Sequence, residues 1–341
     1  MTIDKSGLDE FLSKALFYYD LPGLAVSVGY GSSGTKYSRA FGTKNVETNE
    51  QLEINDIFHM ASLAKLFTGT SVMLLWERGL LSLDAPVTHY LDWFGMADKI
   101  AEEITVRQLL THTSGMPDVQ DYHWDQPQRS ENALENYIRS SEVKDAHLLW
   151  NPTEKRFAYS NIGYDLLGLI VAKISGLPFE EFIRKEVFQP LGMDESTFLT
   201  YERNLSDICA PHRKNRENKI EIVEYYPYNR SHGPSSTLTS NLRDIEKWAG
   251  AHLEKRLLRP ETYRLVWEEF AEVPNNGEKI CLSWFSRKQG GHQLYGHEGA
   301  DDGFRSSFWI CPELDLFIII SANITNAPLK KISKQIFEMI V

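Results

Sequence analysis

A chain of 341 residues exceeds the usual size of one domain, and 42% hydrophobic with 24% charged residues gives ample material for a large core. The formal net charge of −11 lacks the basic footprint of a nucleic-acid binder and disfavours docking on anionic lipid. Three widely spaced cysteines (Cys209, Cys281, Cys311), with no CxxC pair and no clustered histidine, argue against zinc and fit a reducing compartment, so neither metal nor cofactor is expected.

In chain order, Met1-Thr2-Ile3-Asp4-Lys5 lacks the charged-then-apolar profile of a secretory signal, and no run approaches the ~18 apolar residues of a membrane span. The expected location is cytoplasmic, with a trimmed signal or anchor left open. Leu8, Phe11, Leu12, Ala15 and Leu16 have the spacing of an amphipathic helix. Leu24 to Tyr30 and Lys36 to Phe41 read as strands joined by the hairpin link Gly31-Ser32-Ser33-Gly34. From Ser62 to about Phe198 the periodicity is helical, with one helix ending near Gly79 and another running from Ile162 to Ile174 before Gly176. The run from Arg213 to Lys219 reads as a solvated basic loop. Ile280 to Arg287, Phe304 to Ile310 and Leu316 to Ala322 read as strands, and Leu329 to Val341 as a final amphipathic helix.

This order predicts an α+β fold: one antiparallel sheet shared by the two ends of the chain, flanked by terminal helices, with an inserted helical region. The expected division is a sheet domain from residues 1–61 and 230–341 and a mainly helical domain from 62–229, with the site in the cleft between them.

Acyl transfer needs a hydroxyl nucleophile, a base within hydrogen-bond reach and donors for the developing oxyanion. Ser62-Leu63-Ala64-Lys65 can supply the first two, because residues three apart share a helix face. A desolvated Lys65 amine would lose its proton more readily and act as base. Such a tetrapeptide is common, and the plainer reading makes Ser62 a helix cap and Lys65 a surface charge. No G-x-S-x-G elbow surrounds Ser114, which argues against an α/β-hydrolase. Asp118, Asp121, His123 and Asp125 suit turn chemistry or the mouth of the cleft better than a metal site.

Several further segments fall into a shared order. Phe58 to Lys65 carries the nucleophile pair, Leu109 to Pro117 contains Thr-His-Thr-Ser-Gly, and Tyr159-Ser160-Asn161 follows. Pro190-Leu191-Gly192-Met193 and Gly296-His297-Glu298-Gly299 complete the series. Across nearly its whole length the chain resembles the serine β-lactamase-related family. The likeness is to the class C branch with its penicillin-binding D,D-peptidase, D-aminopeptidase and carboxylesterase relatives, in a His-x-Gly form of the third motif.

The resemblance implies Ser62 as nucleophile, Lys65 as activating partner, and Tyr159 as a proton shuttle to the leaving group, its phenol acidified if the lysine ammonium acts on it. It implies that Asn161 holds the substrate amide or orients Lys65, and that His297 orients the acyl group or donates to Tyr159. Gly299 closes the third motif, and the oxyanion hole falls on the backbone N–H groups of Ser62 and Ala300. A histidine at 297, where many relatives have lysine, would be charged only near or below pH ~6.5, making anionic substrates bind weakly or pH-sensitively. Glu298, Asp301 and Asp302, if they face the cleft, would repel anions and favour an amine-bearing substrate. The expected function is a serine hydrolase of esters or amides (esterase or D-amino-acid-peptidase-like) acting on a small-molecule or peptide substrate. The alternatives are a weak β-lactamase or D,D-carboxypeptidase, and a non-catalytic scaffold on the same fold.

Overall fold

The run Leu316-Phe-Ile-Ile-Ile-Ser-Ala322 is apolar at nearly every position, and a strand buried on both faces needs that composition. In the computed structural model, which describes residues 3–341, this strand is an interior one, fourth from one edge of a nine-stranded antiparallel sheet. The expectation about Met1 and Thr2 falls outside the described residues. The strands, in chain order, are β1 (Gly23–Tyr30), β2 (Gly34–Asn45), β3 (Glu50–Gln51), β4 (Phe58–Ala61), β5 (His212–Lys214), β6 (Ile220–Ile222), β7 (Leu238–Ser240), β8 (Ala271–Glu272), β9 (Lys279–Ile280), β10 (Phe285–Gln289), β11 (His292–Asp301), β12 (Phe304–Cys311) and β13 (Leu316–Ala322). The large sheet runs β3-β2-β1-β13-β12-β11-β10-β9-β8, so strands from both ends of the chain meet where β1 pairs with β13.

Alternation along β13 explains the two cores. Leu316, Ile318 and Ile320 pack with Leu24, Val26 and Val28 against the helices Lys5–Tyr18 and Leu329–Ile340, which contribute Leu8, Leu12, Ile332 and Ile336. Phe317 and Ile319 face the other way, toward the helices Ala64–Glu77, Asn161–Ser175 and Leu242–Leu253. There Phe67 stacks on Trp248 with ring centroids 4.0 Å apart. Among the described residues no helix is long and apolar enough to cross a membrane.

Two local readings change. Ile280 to Arg287 is not one strand: Cys281 N–H donates to the Trp284 carbonyl at 2.7 Å, and Ser283 takes a positive φ of 71°. That tight turn, whose Ser283 N–H also reaches the Leu110 carbonyl at 3.0 Å, separates β9 from β10. The basic run at 213–219 is not a plain loop either; it forms part of the β5–β6 hairpin, where Arg213 pairs with Glu221 at 2.9 Å.

Candidate active site

Ser62 sits where β4 turns into the helix Ala64–Glu77. Ala61 takes a φ of 49°, a costly conformation for a residue with a Cβ, and it swings the next side chain out of the strand direction. Leu63, not Ser62, occupies the cap position, and it has no side-chain capping bond. Ser62 is partly exposed while Lys65 is fully buried, so the cap-and-surface-charge reading of this tetrapeptide does not hold.

The Lys65 ammonium donates to three acceptors: Ser62 Oγ at 3.1 Å, Asn161 Oδ1 at 2.5 Å and the Ser235 carbonyl at 2.6 Å. All three are neutral. Burial pushes the lysine down to about 8, against the opposing pull of Asp118, Asp165 and Asp301 acting at longer range. About half of Lys65 is therefore a free amine beside a serine hydroxyl at pH 8, and about a tenth at pH 7.

Asn161 is fixed from behind. Its backbone N–H and its Nδ2 both donate to Asp118 Oδ1 at 2.8 Å, which turns Oδ1 toward the lysine. Asp118 thus has a structural task beyond turn chemistry, whereas Asp121 and Asp125 are exposed and His123 lies against Asp121 and Glu142. Among the described residues no group of three or more His, Cys, Asp or Glu side chains is placed to hold a metal.

Tyr159 lines the same cavity as Ser62, and its ring centroid is 4.9 Å from the Lys65 Nζ. The phenol is not acidified. Burial, reinforced by the carboxylates of Asp118 and Asp301, raises it well above the ordinary tyrosine range despite the help from Ser62. It is held as a neutral O–H donor. The Thr-His-Thr-Ser-Gly turn explains the ring's position: His112, with a φ of 52°, packs against it with centroids 4.4 Å apart and the rings tilted by 30°. His112 also accepts the Ser160 N–H on Nδ1 at 3.1 Å and the Ala158 N–H on its carbonyl at 2.8 Å.

On β11, His297 is buried and its Nδ1 lies 2.6 Å from the Glu298 carbonyl, so that nitrogen carries the proton and Nε2 is left as an acceptor. Burial, with the Lys65 charge adding to it, drives the imidazole down to about 3. His297 is neutral throughout the physiological range. It neither donates to Tyr159 nor provides the acid-dependent cation expected from its sequence position. Gly299 has no space for a side chain: a Cβ there would collide with Ser306 Oγ and the Met60 carbonyl, where β11 lies against β4. Gly299→Ala is expected to push the two strands apart, costing about 1–3 kcal/mol and most of the activity. A melting curve and a kinetic assay of the purified variant check this, and unchanged values in both would refute it.

Ser62, Asp118, Tyr159, Asn161, His297 and Ala300 line one cavity of about 580 Å³. The Ser62 N–H has no backbone acceptor among the described residues. A second cavity of about 470 Å³, between Trp93, Arg139, Glu180 and Arg230, contains no comparable nucleophile and base. Ser235 is the participant that sequence reasoning missed, because its role rests on a carbonyl that leaves no motif; His112 lies within the Thr-His-Thr-Ser-Gly segment, but its contact with the Tyr159 ring was not foreseen.

The Beta-lactamase family model matches residues 8–337, so the chain belongs to that family. Protein flp of Staphylococcus aureus (strain MW2) is 26% identical over 313 residues, covering 89% of this chain and 60% of the relative. Penicillin-binding protein 4* of Bacillus subtilis (strain 168) is 33% identical over 170 residues, half of this chain and 36% of that protein. The chain thus spans about 60% of the Staphylococcus relative's length. Among solved structures, the octameric penicillin-binding protein homologue from Pyrococcus abyssi superposes with a TM-score of 0.86 at 25% identity, over 99% of this chain and 77% of that one. The D-amino acid amidase from Ochrobactrum anthropi SV3, complexed with D-phenylalanine, gives 0.82 at 20% identity over 98% of both chains, a likeness of fold.

Proposed function

We propose that this protein is a serine hydrolase that cleaves a small or moderate-sized ester or amide through an acyl-Ser62 intermediate. The observation that carries the reading is the buried Lys65 amine, 3.1 Å from Ser62 Oγ and held by neutral acceptors. A neutral amine takes the Ser62 proton as Oγ attacks the substrate carbonyl, and the N–H groups of Ser62 and Ala300 receive the oxyanion. Tyr159 gives its proton to the departing group and recovers one from the Lys65 ammonium, so in net one proton passes from serine to product. Water then enters, gives a proton to the regenerated base as its oxygen bonds to the acyl carbon, and the C–Oγ bond breaks with that proton returning to Ser62 Oγ, which frees the acid. Lys65 and Tyr159 titrate as a coupled pair in this scheme. The segment 62–229 supplies Ser62, Lys65, Tyr159 and Asn161, and the segments 1–61 and 230–341 supply the sheet edge, as two domains meeting at a cleft.

The likeness to D-amino acid amidases supports an amide of a D-amino acid as one substrate class. A carboxylate-bearing β-lactam is a poorer fit, because the neutral His297 offers it no cation. His297→Lys is expected to raise acylation by a fluorescent penicillin about tenfold, by installing a charge at that edge. An unchanged rate would mean that a cation at this position is not what limits β-lactam binding.

The direct test is labelling with a fluorophosphonate and mapping the adduct by mass spectrometry. One adduct per chain on Ser62, absent from Ser62→Ala, is the expected result; equal labelling of both proteins would overturn the reading and favour a non-catalytic scaffold.

A further inference from the structure

The cavity holds carboxyl groups that the hydrolytic scheme does not use. Asp301 Oδ2 is engaged by His59 Nε2 at 2.8 Å and by the Ser236 hydroxyl. Glu278 pairs with Lys330 at 2.7 Å, and Asp118 is committed to Asn161. Glu298 differs. Its Oε1 accepts from the Trp309 indole N–H at 2.6 Å and the Ser307 hydroxyl at 2.9 Å, both neutral donors on β12. Its Oε2 has no hydrogen-bond partner among the described residues, and the residue lines the cavity. No cation forms an ion pair with it among those residues; the nearby Arg287 lies over the Trp309 ring at 3.8 Å and donates to Ser333 instead.

The strand geometry explains how Glu298 reaches a cavity that His297 also lines. Successive side chains point to opposite faces of a sheet. β10 pairs with β11 only as far as Gly296, so from His297 onward that edge of β11 is uncovered and the cavity wraps round it. Glu298 is two residues from Ala300, about 7 Å along an extended strand. A group a few bonds from a carbonyl held at Ala300 is therefore within its reach.

We propose that Glu298 is a specificity-determining residue that holds a cationic amine carried on the acyl side of the substrate. A cavity-lining carboxyl fixed through one oxygen by neutral donors, with the other oxygen free of hydrogen bonds, is preorganised for an ammonium and repels a carboxylate. Burial pushes its carboxyl up to about 7, against the Trp309 and Ser307 hydrogen bonds and the more distant Arg287, with Glu278 adding to the rise. Those residues, with Lys330 beyond Glu278, are the charged and polar groups facing it from β10, β12, the approach to β9 and the last helix. The anion that would hold an amine is thus absent at pH 5.5 and present by pH 8, where an α-ammonium itself begins to lose its proton. Amine recognition should peak between pH 7 and 8. The proposal rests on the hydrolase reading in that it places the acyl group in this cavity.

The test uses binding, so that it does not depend on turnover. Calorimetry on the Ser62→Ala protein would compare alaninamide, in both enantiomers, with lactamide, its uncharged hydroxyl counterpart, and with N-acetylalaninamide. At pH 7.5 alaninamide should bind about tenfold more tightly than either neutral amide, and the advantage should shrink to about twofold at pH 5.5. Ser62→Ala/Glu298→Gln keeps an acceptor for Trp309 and Ser307 and should lose the preference at both pH values. Lactamide binding as well as alaninamide, no measurable alaninamide binding, or a preference that survives in the double variant would each overturn the proposal. The lactamide and pH comparisons need no Glu298 variant and stand even if the double variant misfolds. Fluorophosphonate labelling of the wild-type protein reports separately on the hydrolase reading.

Discussion

Lys65→Met is expected to lower kcat/KM on p-nitrophenyl butyrate by about a thousandfold while leaving the fold at least as stable as the wild type. The kinetic loss follows from removing the base that takes the Ser62 proton, since no other amine or carboxylate contacts that hydroxyl. The stability gain follows from the same burial that makes the base useful. Lowering Lys65 from the ordinary lysine value of 10.5 to about 8 means the fold disfavours the ammonium by on the order of 3 kcal/mol. Below pH 8 both folded and unfolded chains carry the charge and the penalty is felt in full. Between pH 8 and 10.5 the folded chain has released the proton and the unfolded chain has not, so the wild type gains stability as pH rises. The difference in melting temperature between Lys65→Met and wild type should therefore be largest near pH 7 and narrow toward pH 10. A variant that melts lower than the wild type at pH 7, with activity retained, would refute both halves of the argument. In the wild type, kcat/KM should climb with pH through a midpoint near 8 to a plateau about one pH unit higher, as the neutral amine accumulates.

Tyr159→Phe should cost about a hundredfold or more on a p-nitroanilide and much less on the matching p-nitrophenyl ester. A phenol kept protonated by burial can serve as an acid but is a poor base. Nitrophenolate departs without a proton, whereas an aniline needs one, so only the amide depends heavily on the donor. Paired kinetics on the two substrates decide the matter. Equal losses would assign Tyr159 to positioning Ser62 instead of protonating the leaving group.

The outer frame of this molecule was legible from residue pattern because hydrophobic periodicity reports directly on burial. Leu316–Ala322 and the terminal helices read correctly, since each faces a core through a regular repeat. The break between β9 and β10 was not legible. Cys281, Leu282 and Trp284 are all buried in a turn, and an apolar turn packed inside looks like a strand. Ser62 and Lys65 stood out only in the company of the later motifs; in the structure Lys65 reaches the Ser62 hydroxyl, Asn161 holds the lysine, and Tyr159 lines the same cavity. The protonation states were beyond reach. His297 reads as a pH-sensitive cation from its unperturbed value, and only its full burial beside Lys65 shows it to be neutral. Ser235 offers only its carbonyl to the lysine, and any residue type can do that.

The seam between β1 and β13 bears on how the chain assembles. The hairpin of β1 and β2 is built from neighbours in sequence, but the β1 edge that β13 covers waits for residues almost 300 positions later. Until then, a row of unpaired backbone groups flanked by Leu24, Val26 and Val28 lies open to other chains. The helices around Ser62 face the same delay, since Phe317 and Ile319 are part of the wall they pack against. Folding is therefore dominated by contacts remote in sequence, and such topologies fold slowly. Recovery after dilution from denaturant should fall steeply as protein concentration rises, with aggregates joined through the β1 edge, while dilute samples regain the cavity and the Ser62 environment together.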